Sequence, residues 1–89
     1  MFYSRPRVYP NPIMTNTALT IEMKRHDIGA YLFQLVTLNG QVMLRKEFWV
    51  DEQNNRVKIN FPSIPAGAYV LQMTNKKSGK TTSEKIIVE

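Results

Sequence analysis

The residues that could do chemistry are few and form no catalytic or metal-binding pattern. The chain has one histidine, His26, with Asp27 as its only acidic neighbour in sequence, and it has no cysteine. A metal site needs several His, Cys, Asp or Glu side chains that converge, and the seven acidic residues show no such spacing. We therefore expect no catalytic residue, no metal and no cofactor, and we interpret His26 as a solvated loop residue.

One short motif resembles part of a phosphate-binding loop. Ser78-Gly79-Lys80-Thr81 has the ending of that motif, which also needs an earlier glycine and a following helix. Thr74 stands where the earlier glycine should be, and no helical pattern follows. A hairpin turn is the better interpretation. The sequence also lacks Gly-x-Ser-x-Gly and Gly-x-Gly-x-x-Gly, so we predict that the protein is not an enzyme.

The chain is basic, which raises the hypothesis of a nucleic-acid partner. Twelve Lys and Arg against seven Asp and Glu give a net charge of +5. These charges are scattered, with no run longer than two, so a solvated surface is favoured and no nucleic-acid partner is expected. A nucleic-acid binder would instead show strongly salt-dependent DNA binding.

Length and hydropathy predict one domain without a membrane span. The chain has 89 residues, and no apolar run approaches the ~18 residues of a spanning helix. Residues 1–7 are polar and are expected to be a linker remnant, whereas residues 8–89 are expected to form the domain. Because residues 1–7 lack the apolar core of a signal peptide, the protein is either cytosolic or a fragment whose export signal lies upstream.

Apolar residues alternate with polar ones along most of the chain, which is the pattern of half-buried strands. Turn residues recur every ~8–12 positions, as in an immunoglobulin-like sandwich, and no segment favours a helix over a strand. The sequence therefore predicts an all-β fold, an immunoglobulin-like β-sandwich of about seven antiparallel strands. The predicted strands are Val8-Tyr9 and residues 17–23, 30–38, 41–50, 57–61, 68–74 and 81–88.

Local patterns add expectations about individual strands. Asn39-Gly40 is a strong hairpin signal because both residues tolerate a positive φ. The apolar run at residues 30–38 suits a central strand. The strand after the hairpin is expected to carry four apolar side chains on one face and Trp49 on the other; the four are Val42, Leu44, Phe48 and Val50.

Three segments together resemble a known pattern. They are Val8-Tyr9-Pro10-Asn11-Pro12, residues 35–42, and residues 64–73 together with the terminal Lys85-Ile86-Ile87-Val88. In order and spacing they resemble the C-terminal sorting domain, type A, of the type IX secretion system of Bacteroidetes. The resemblance covers residues 8–89. It implies a secretion signal that is recognised in the periplasm and guides an attached N-terminal cargo protein through an outer-membrane translocon to the cell surface or the extracellular space. In many members of the family a surface sortase removes the domain.

The resemblance also carries over residue by residue. Residues that match the family motifs are Tyr9, Pro10, Asn11, Pro12, Gly40, Pro65, Gly67, Tyr69 and Lys85. The family often has Asp or Asn where Thr37 stands, and Lys or Arg where Gln41 stands. Lys85 and the strand Ile86-Ile87-Val88 are expected to be recognised directly, because a terminal edge strand can be captured by strand addition. A cleavage site would lie in or before residues 1–7.

An alternative is an immunoglobulin-like accessory module of a secreted multidomain protein, either a spacer or a module that binds carbohydrate or protein. Tyr9, Tyr31, Trp49 and Tyr69 are candidates for a carbohydrate-stacking surface, although most aromatic rings in a small sandwich belong to the core. We expect Trp49 to be exposed and Tyr69 to be packed. This alternative predicts ligand binding that is lost in Trp49→Ala while secretion is unaffected.

Overall fold

The computed structural model describes residues 6–23, 28–61 and 63–89, and these form a sandwich of two antiparallel sheets. Sheet A has the strand order β1-β2-β5 and sheet B has the order β4-β3-β6-β7. The predicted all-β, immunoglobulin-like sandwich of about seven antiparallel strands is confirmed. The strands are β1 Arg7–Tyr9, β2 Ala18–Glu22, β3 Gly29–Thr37, β4 Val42–Val50, β5 Arg56–Asn60, β6 Gly67–Asn75 and β7 Thr81–Val88.

Some expectations fall on residues that are not described. His26 and Asp27 lie outside the described ranges, and so do residues 1–5 of the expected linker. The interpretation of His26 and the boundary between linker and domain therefore stay predictions. Within the described ranges, no helix is long and apolar enough to cross a bilayer.

The core lies between the inner faces of the two sheets and follows the predicted alternation. Leu19 and Ile21 of β2 are fully buried and belong to the same cluster as Phe33 and Leu35 of β3. The strand β3 is central, as predicted, because it pairs with β4 on one side and with β6 on the other. Burial of each such side chain contributes ~1.5–3 kcal/mol, so this cluster supplies the main driving force for folding.

The strand β4 departs from the predicted alternation at its start. Leu35 pairs with Leu44 but Val36 pairs with Val42, so Met43 is an extra residue that forms a β-bulge. Because of the bulge, Met43 packs against the core, and Val42 is 47% exposed. The prediction that Val42 lies on the same face as Leu44, Phe48 and Val50 is therefore wrong.

The hairpin predicted at Asn39-Gly40 is present, but its loop has three residues rather than two. The Gly40 N–H donates to the Thr37 carbonyl over 2.9 Å, and the Thr37 N–H donates to the Gln41 carbonyl over 2.8 Å. Gly40 has a φ of 90°, whereas Asn39 has no positive φ. A three-residue hairpin loop needs one residue in this region, and glycine occupies it without steric cost.

The turn after β4 is organised by Asp51. Its carboxylate accepts the N–H groups of Gln53 at 2.9 Å and Asn54 at 2.7 Å, and it also accepts the indole N–H of Trp49 at 3.1 Å. Trp49 is 61% exposed, so its predicted exposure is confirmed. The hydrogen bond from the Asn54 N–H, followed by those from Gln53 and Trp49, lowers the pKa of Asp51 because these bonds favour the charged form.

This turn gives a pH-dependent prediction. A carboxylate whose folded pKa lies below its ordinary 3.8 stabilises the turn above that value, and the contribution is lost as the pH falls through the lowered pKa. Since Trp49 is the only tryptophan, its fluorescence should change in that acid range. Asp51→Asn should abolish the acid transition, and the neighbouring Glu52→Gln should keep it. An Asp51→Asn titration identical to that of the unchanged protein would contradict the assignment.

Candidate functional site

The three segments that resemble the sorting pattern lie side by side at one end of sheet B. Residues 35–42 form the hairpin between β3 and β4, residues 64–73 lead into β6, and residues 85–88 end β7. The opening segment, residues 8–12, begins in β1 and reaches the outer edge of β7. The order across this end is therefore β4, β3, β6, β7 and the opening segment. Segments that are far apart in sequence form one continuous structural unit, which we call the motif end.

Asn11 joins the opening segment to the terminal strand. Its side-chain N–H donates to the Lys85 carbonyl over 2.8 Å, and its side-chain oxygen accepts the Ile87 N–H at 3.0 Å. One side-chain amide thus supplies the donor and the acceptor that a neighbouring strand would provide. The flanking bonds Tyr9–Pro10 and Asn11–Pro12 are both cis.

Ile13 continues this contact by main-chain pairing. It forms a parallel bridge with Val88: the Ile13 N–H donates to the Ile87 carbonyl over 2.8 Å, and the Glu89 N–H donates to the Ile13 carbonyl over 2.8 Å. The Ile13 side chain is fully buried, so the contact is anchored in the core. The outward-facing backbone groups of Ile87 and Glu89 are already used within the domain, and a partner strand would have to displace Asn11 and Ile13 there.

Tyr9 fixes the opening segment from the other side. Its hydroxyl donates to the Glu22 carboxylate over 3.0 Å, the Arg56 guanidinium lies 3.1 Å from the same oxygen, and the Arg7 guanidinium lies over the Tyr9 ring. The hydrogen bond to Glu22, together with desolvation and the charge of Glu22, raises the pKa of Tyr9. Glu22 is only 6% exposed although it lies on the outer face of sheet A, so this network covers a charge and holds β1 in place.

Thr37 and Gly40 define the middle segment. The Thr37 hydroxyl accepts the Gln41 N–H at 3.0 Å, which closes the loop over the turn. An Asp or Asn side chain, which the family often has at this position, also carries an oxygen that can accept such a bond. The departure from the family pattern at Thr37 therefore preserves an acceptor. Gly40 itself is exposed, and no atom lies within 4 Å of an added Cβ, so its role here is in the backbone conformation.

Pro65, Gly67 and Tyr69 form the entry to β6. The Tyr69 hydroxyl donates to the Pro65 carbonyl, and the ring is 5% exposed, so the expected packing of Tyr69 is confirmed. Gly67 has a φ of 153° and open space around an added Cβ. The backbone conformation, rather than crowding, therefore favours glycine here. These contacts give Tyr69 and Gly67 clear roles in shaping the motif end.

The terminal strand presents different residues on its two faces. Ile86 and Val88 are almost fully buried in the core, whereas Lys85 is exposed and Ile87 is half-buried on the outer face of sheet B. Among residues 85–88, only Lys85 and Ile87 can therefore offer side-chain atoms to a partner. The direct recognition of Lys85-Ile86-Ile87-Val88 stays a prediction.

Sequence reasoning missed two residues that build this site. Ile13 follows Pro12 and lies outside any period-two run, and Glu22 is an acid on the solvent face of a strand. Neither had a local signal, because their partners Val88 and Tyr9 are far away in sequence. The burial of the Glu22 carboxylate, in contact with Tyr9 and Arg56, could be found only from the folded structure.

The candidate aromatic residues do not form a stacking surface. Tyr31 and Tyr69 are each 5% exposed, and Tyr9 lies on the outer face of sheet A while Trp49 lies on sheet B. The described residues contain no group of three or more acids, histidines or cysteines that could hold a metal ion. The geometry thus concentrates its unusual features at the motif end.

These features define a small immunoglobulin-like β-sandwich whose opening segment is tied to its last strand. The family model described as "Secretion system C-terminal sorting domain" matches residues 7–89. The chain therefore belongs to the family of secretion system C-terminal sorting domains, in the context of type IX secretion. This membership implies export to the cell surface or the extracellular space.

Solved structures agree on the fold. The chain is similar to part of PorZ, a bacterial surface component of the type IX secretion system of Porphyromonas gingivalis, with a TM-score of 0.69 and 20% identity. The match covers 94% of this chain but only 11% of PorZ. The fold is also similar to CopC from Methylosinus trichosporium OB3b, with a TM-score of 0.56, 9% identity, and coverage of 96% of this chain and 94% of CopC. A comparison with curated proteins finds no match.

The contact between Asn11 and β7 can be tested directly. Asn11→Ala removes two hydrogen bonds at the edge of the sheet and should lower the free energy of unfolding by about 1–2 kcal/mol, or the melting temperature by roughly 5–15 °C. Hydrogen exchange of the Ile87 amide, measured by NMR, should accelerate. Asn60→Ala, at an exposed asparagine on β5, is the matched control. Unchanged protection of Ile87 in Asn11→Ala would show that the contact is not formed in solution.

Proposed function

We propose that this chain is a non-catalytic C-terminal secretion signal. It directs a cargo protein attached to its N-terminal side across the outer membrane through the type IX secretion system. Its partners are the secretion machinery, namely the outer-membrane translocon and, where the domain is removed, a surface sortase. Residues 8–89 form the sorting domain, and residues 1–7 are the remnant of the linker to the cargo, although its last residue, Arg7, already pairs with Glu22 in sheet A.

The observation that carries this proposal is the convergence of the family segments at the motif end. A sandwich needs no such arrangement to fold, because β1 could end without reaching β7. Here Asn11 and Ile13 instead run along the edge of the strand that contains Lys85. The match of the family model over residues 7–89 supports the same function. We infer that the machinery recognises the folded motif end as a unit.

The position of β1 supports the proposed place of cleavage. Arg7 pairs with Glu22, and β2 pairs in turn with β5. A protease needs an extended substrate that is free of other pairing, so a sortase would cut on the N-terminal side of this paired segment. We therefore keep the proposed cleavage site in or before residues 1–7.

The accessory-module alternative has less support. Its stacking surface would rest on Trp49 alone among the candidate aromatic residues, because the others are buried or lie on sheet A. A glycan array that shows binding lost in Trp49→Ala would favour it. Export unchanged by Trp49→Ala is expected under either function.

An export assay tests the proposal. Residues 1–89 are fused to the C-terminus of a reporter with a signal peptide and expressed in a Bacteroidetes host, and the reporter is measured outside the cell. The fusion should be exported, whereas the reporter alone should stay in the periplasm. Retention of the fusion in the periplasm would contradict the proposed function.

Point variants separate recognition from folding better than truncation does. Deletion of residues 85–89 removes the buried Ile86 and Val88, so it should unfold the domain as well as stop export. Lys85→Ala changes only an exposed side chain and should reduce export while the melting temperature stays within a few degrees. Lys58→Ala, at an exposed lysine on sheet A, is the control and should be exported normally. Normal export of Lys85→Ala would remove Lys85 from the recognised surface.

A further inference from the structure

The outer face of sheet B changes character along its length. Toward the turn that follows β6 it is mixed: Glu47 forms an ion pair with Lys76 at 3.1 Å, while the exposed Trp49 pairs with Ala30. In the middle, Gln34 pairs with Gln72, and Gln72 pairs with Ser83. At the motif end the face becomes apolar. A group of apolar side chains at this end is unusual, because the solvent face of an antiparallel sheet is normally polar.

The apolar part spans all four strands of sheet B. Val42 pairs with Val36, Val36 pairs with Val70, and in the next row Ala68 pairs with Ile87. Directly opposed side chains on one face of a sheet lie close together. We call Val36, Val42, Ala68, Val70 and Ile87 the outer apolar patch.

Burial supports a continuous patch. Val36 is 7% exposed, yet it does not belong to the core cluster between the sheets. Its neighbours on the outer face therefore cover it. At the margin of the patch, Val42 is 47% exposed, and Leu38, in the adjoining loop, is 69% exposed. Contiguous exposed apolar surface bordered by polar residues marks interaction sites.

The bulge in β4 contributes to this patch. Regular alternation would have put Val42 on the inner face, and the extra residue Met43 moves it to the outer face. Bulges redirect side chains in this way. The exposure of Val42 therefore results from the β-bulge and would not occur in a regular strand.

The charges beside the patch indicate its partner. Lys85 pairs with Val70 at one side, and Arg45 pairs with Gln34 in the row next to Val36. Both side chains are exposed, and neither forms an ion pair with another described residue. A complementary surface would bring carboxylates to these cations around an apolar centre.

We infer that the outer apolar patch is the docking surface for a folded protein of the secretion machinery that presents apolar side chains flanked by carboxylates. The inference rests on the proposed function and adds to it the face of the domain that the machinery recognises. It places the contact on the outer face of sheet B, where the side chains are accessible, and not on the edge of β7, which Asn11 and Ile13 occupy.

The test uses the reporter fusion and matched substitutions. Val42→Glu and, separately, Leu38→Glu should each lower export by roughly tenfold, while circular dichroism and melting temperature of the purified domain stay unchanged. Ile28→Glu is the matched control, because Ile28 is also exposed, at 51%, but precedes β3 at the end of sheet B opposite the patch. This variant should keep export within a factor of about two. Leu38 lies in a loop, so its variant remains informative even if Val42→Glu fails to fold.

Charge reversal tests the chemistry of the partner. Arg45→Glu should lower export, and Lys58→Glu on sheet A should not. If the unchanged fusion is exported and the Val42, Leu38 and Arg45 variants are exported equally well, the docking surface is wrong although the proposed function stands. If the unchanged fusion is not exported, the proposed function itself fails.

Two further outcomes would overturn the choice of partner. Sedimentation of the purified domain could show a dimer that Val42→Glu dissociates, which would assign the patch to a second copy of the chain. Flotation with phosphatidylcholine–phosphatidylglycerol vesicles could show binding that Val42→Glu abolishes, which would assign it to lipid. We expect a monomer that does not bind these vesicles.

Discussion

The hydrogen bonds between the opening segment and the last strand are the constraint on which the motif end depends. An edge strand leaves a row of backbone donors and acceptors that attract other strands. In this domain the amide of Asn11 occupies two of these groups, and the main chain of Ile13 occupies the next two. Asn11 thereby acts like a peptide group of an added strand. The opposite edge of sheet B is formed by β4, where Lys46 pairs with Phe33 and lies on the inward side. An inward-facing charge on an edge strand discourages pairing with another sheet.

Closing the edge of β7 divides the functions of that strand. At residues 85–88 its inner face supplies Ile86 and Val88 to the core, its edge holds Asn11 and Ile13, and its outer face, with Lys85 and Ile87, is open. Substitutions of Ile86 or Val88 will therefore affect the stability of the core, whereas substitutions of Lys85 or Ile87 will change the exposed surface. The same separation applies to β6, where Tyr69 shapes the turn from inside the core and Val70 lies on the outer face.

The fold could be predicted well because alternation and turns are local properties of the sequence. The strand β2, for example, shows its inner face in Leu19 and Ile21. The hairpin at Gly40 was predictable, but its loop length was not, since the same dipeptide suits loops of two and three residues. The bulge at Met43 was missed because an inserted residue leaves no mark in an apolar run.

The site was predictable only as separate motifs. The resemblance to the family identified the opening, middle and terminal segments, but no pattern indicated that they meet. Asn11 and Ile87 are 76 positions apart, and a side-chain amide that pairs with a strand edge has no period or spacing of its own. The outer face of sheet B was likewise hidden, because its apolar character depends on the register of four strands.

The link between Asn11 and Ile87 also makes the motif end depend on synthesis of nearly the whole domain. Its two partners are separated by almost the whole domain, so the motif end cannot form until the ribosome has made the last strand. A chain that stops before β7 would carry the opening segment without the strand it needs. Under the proposed function, a product without β7 would lack the motif end, and the secretion machinery would leave it in the periplasm without any separate inspection step.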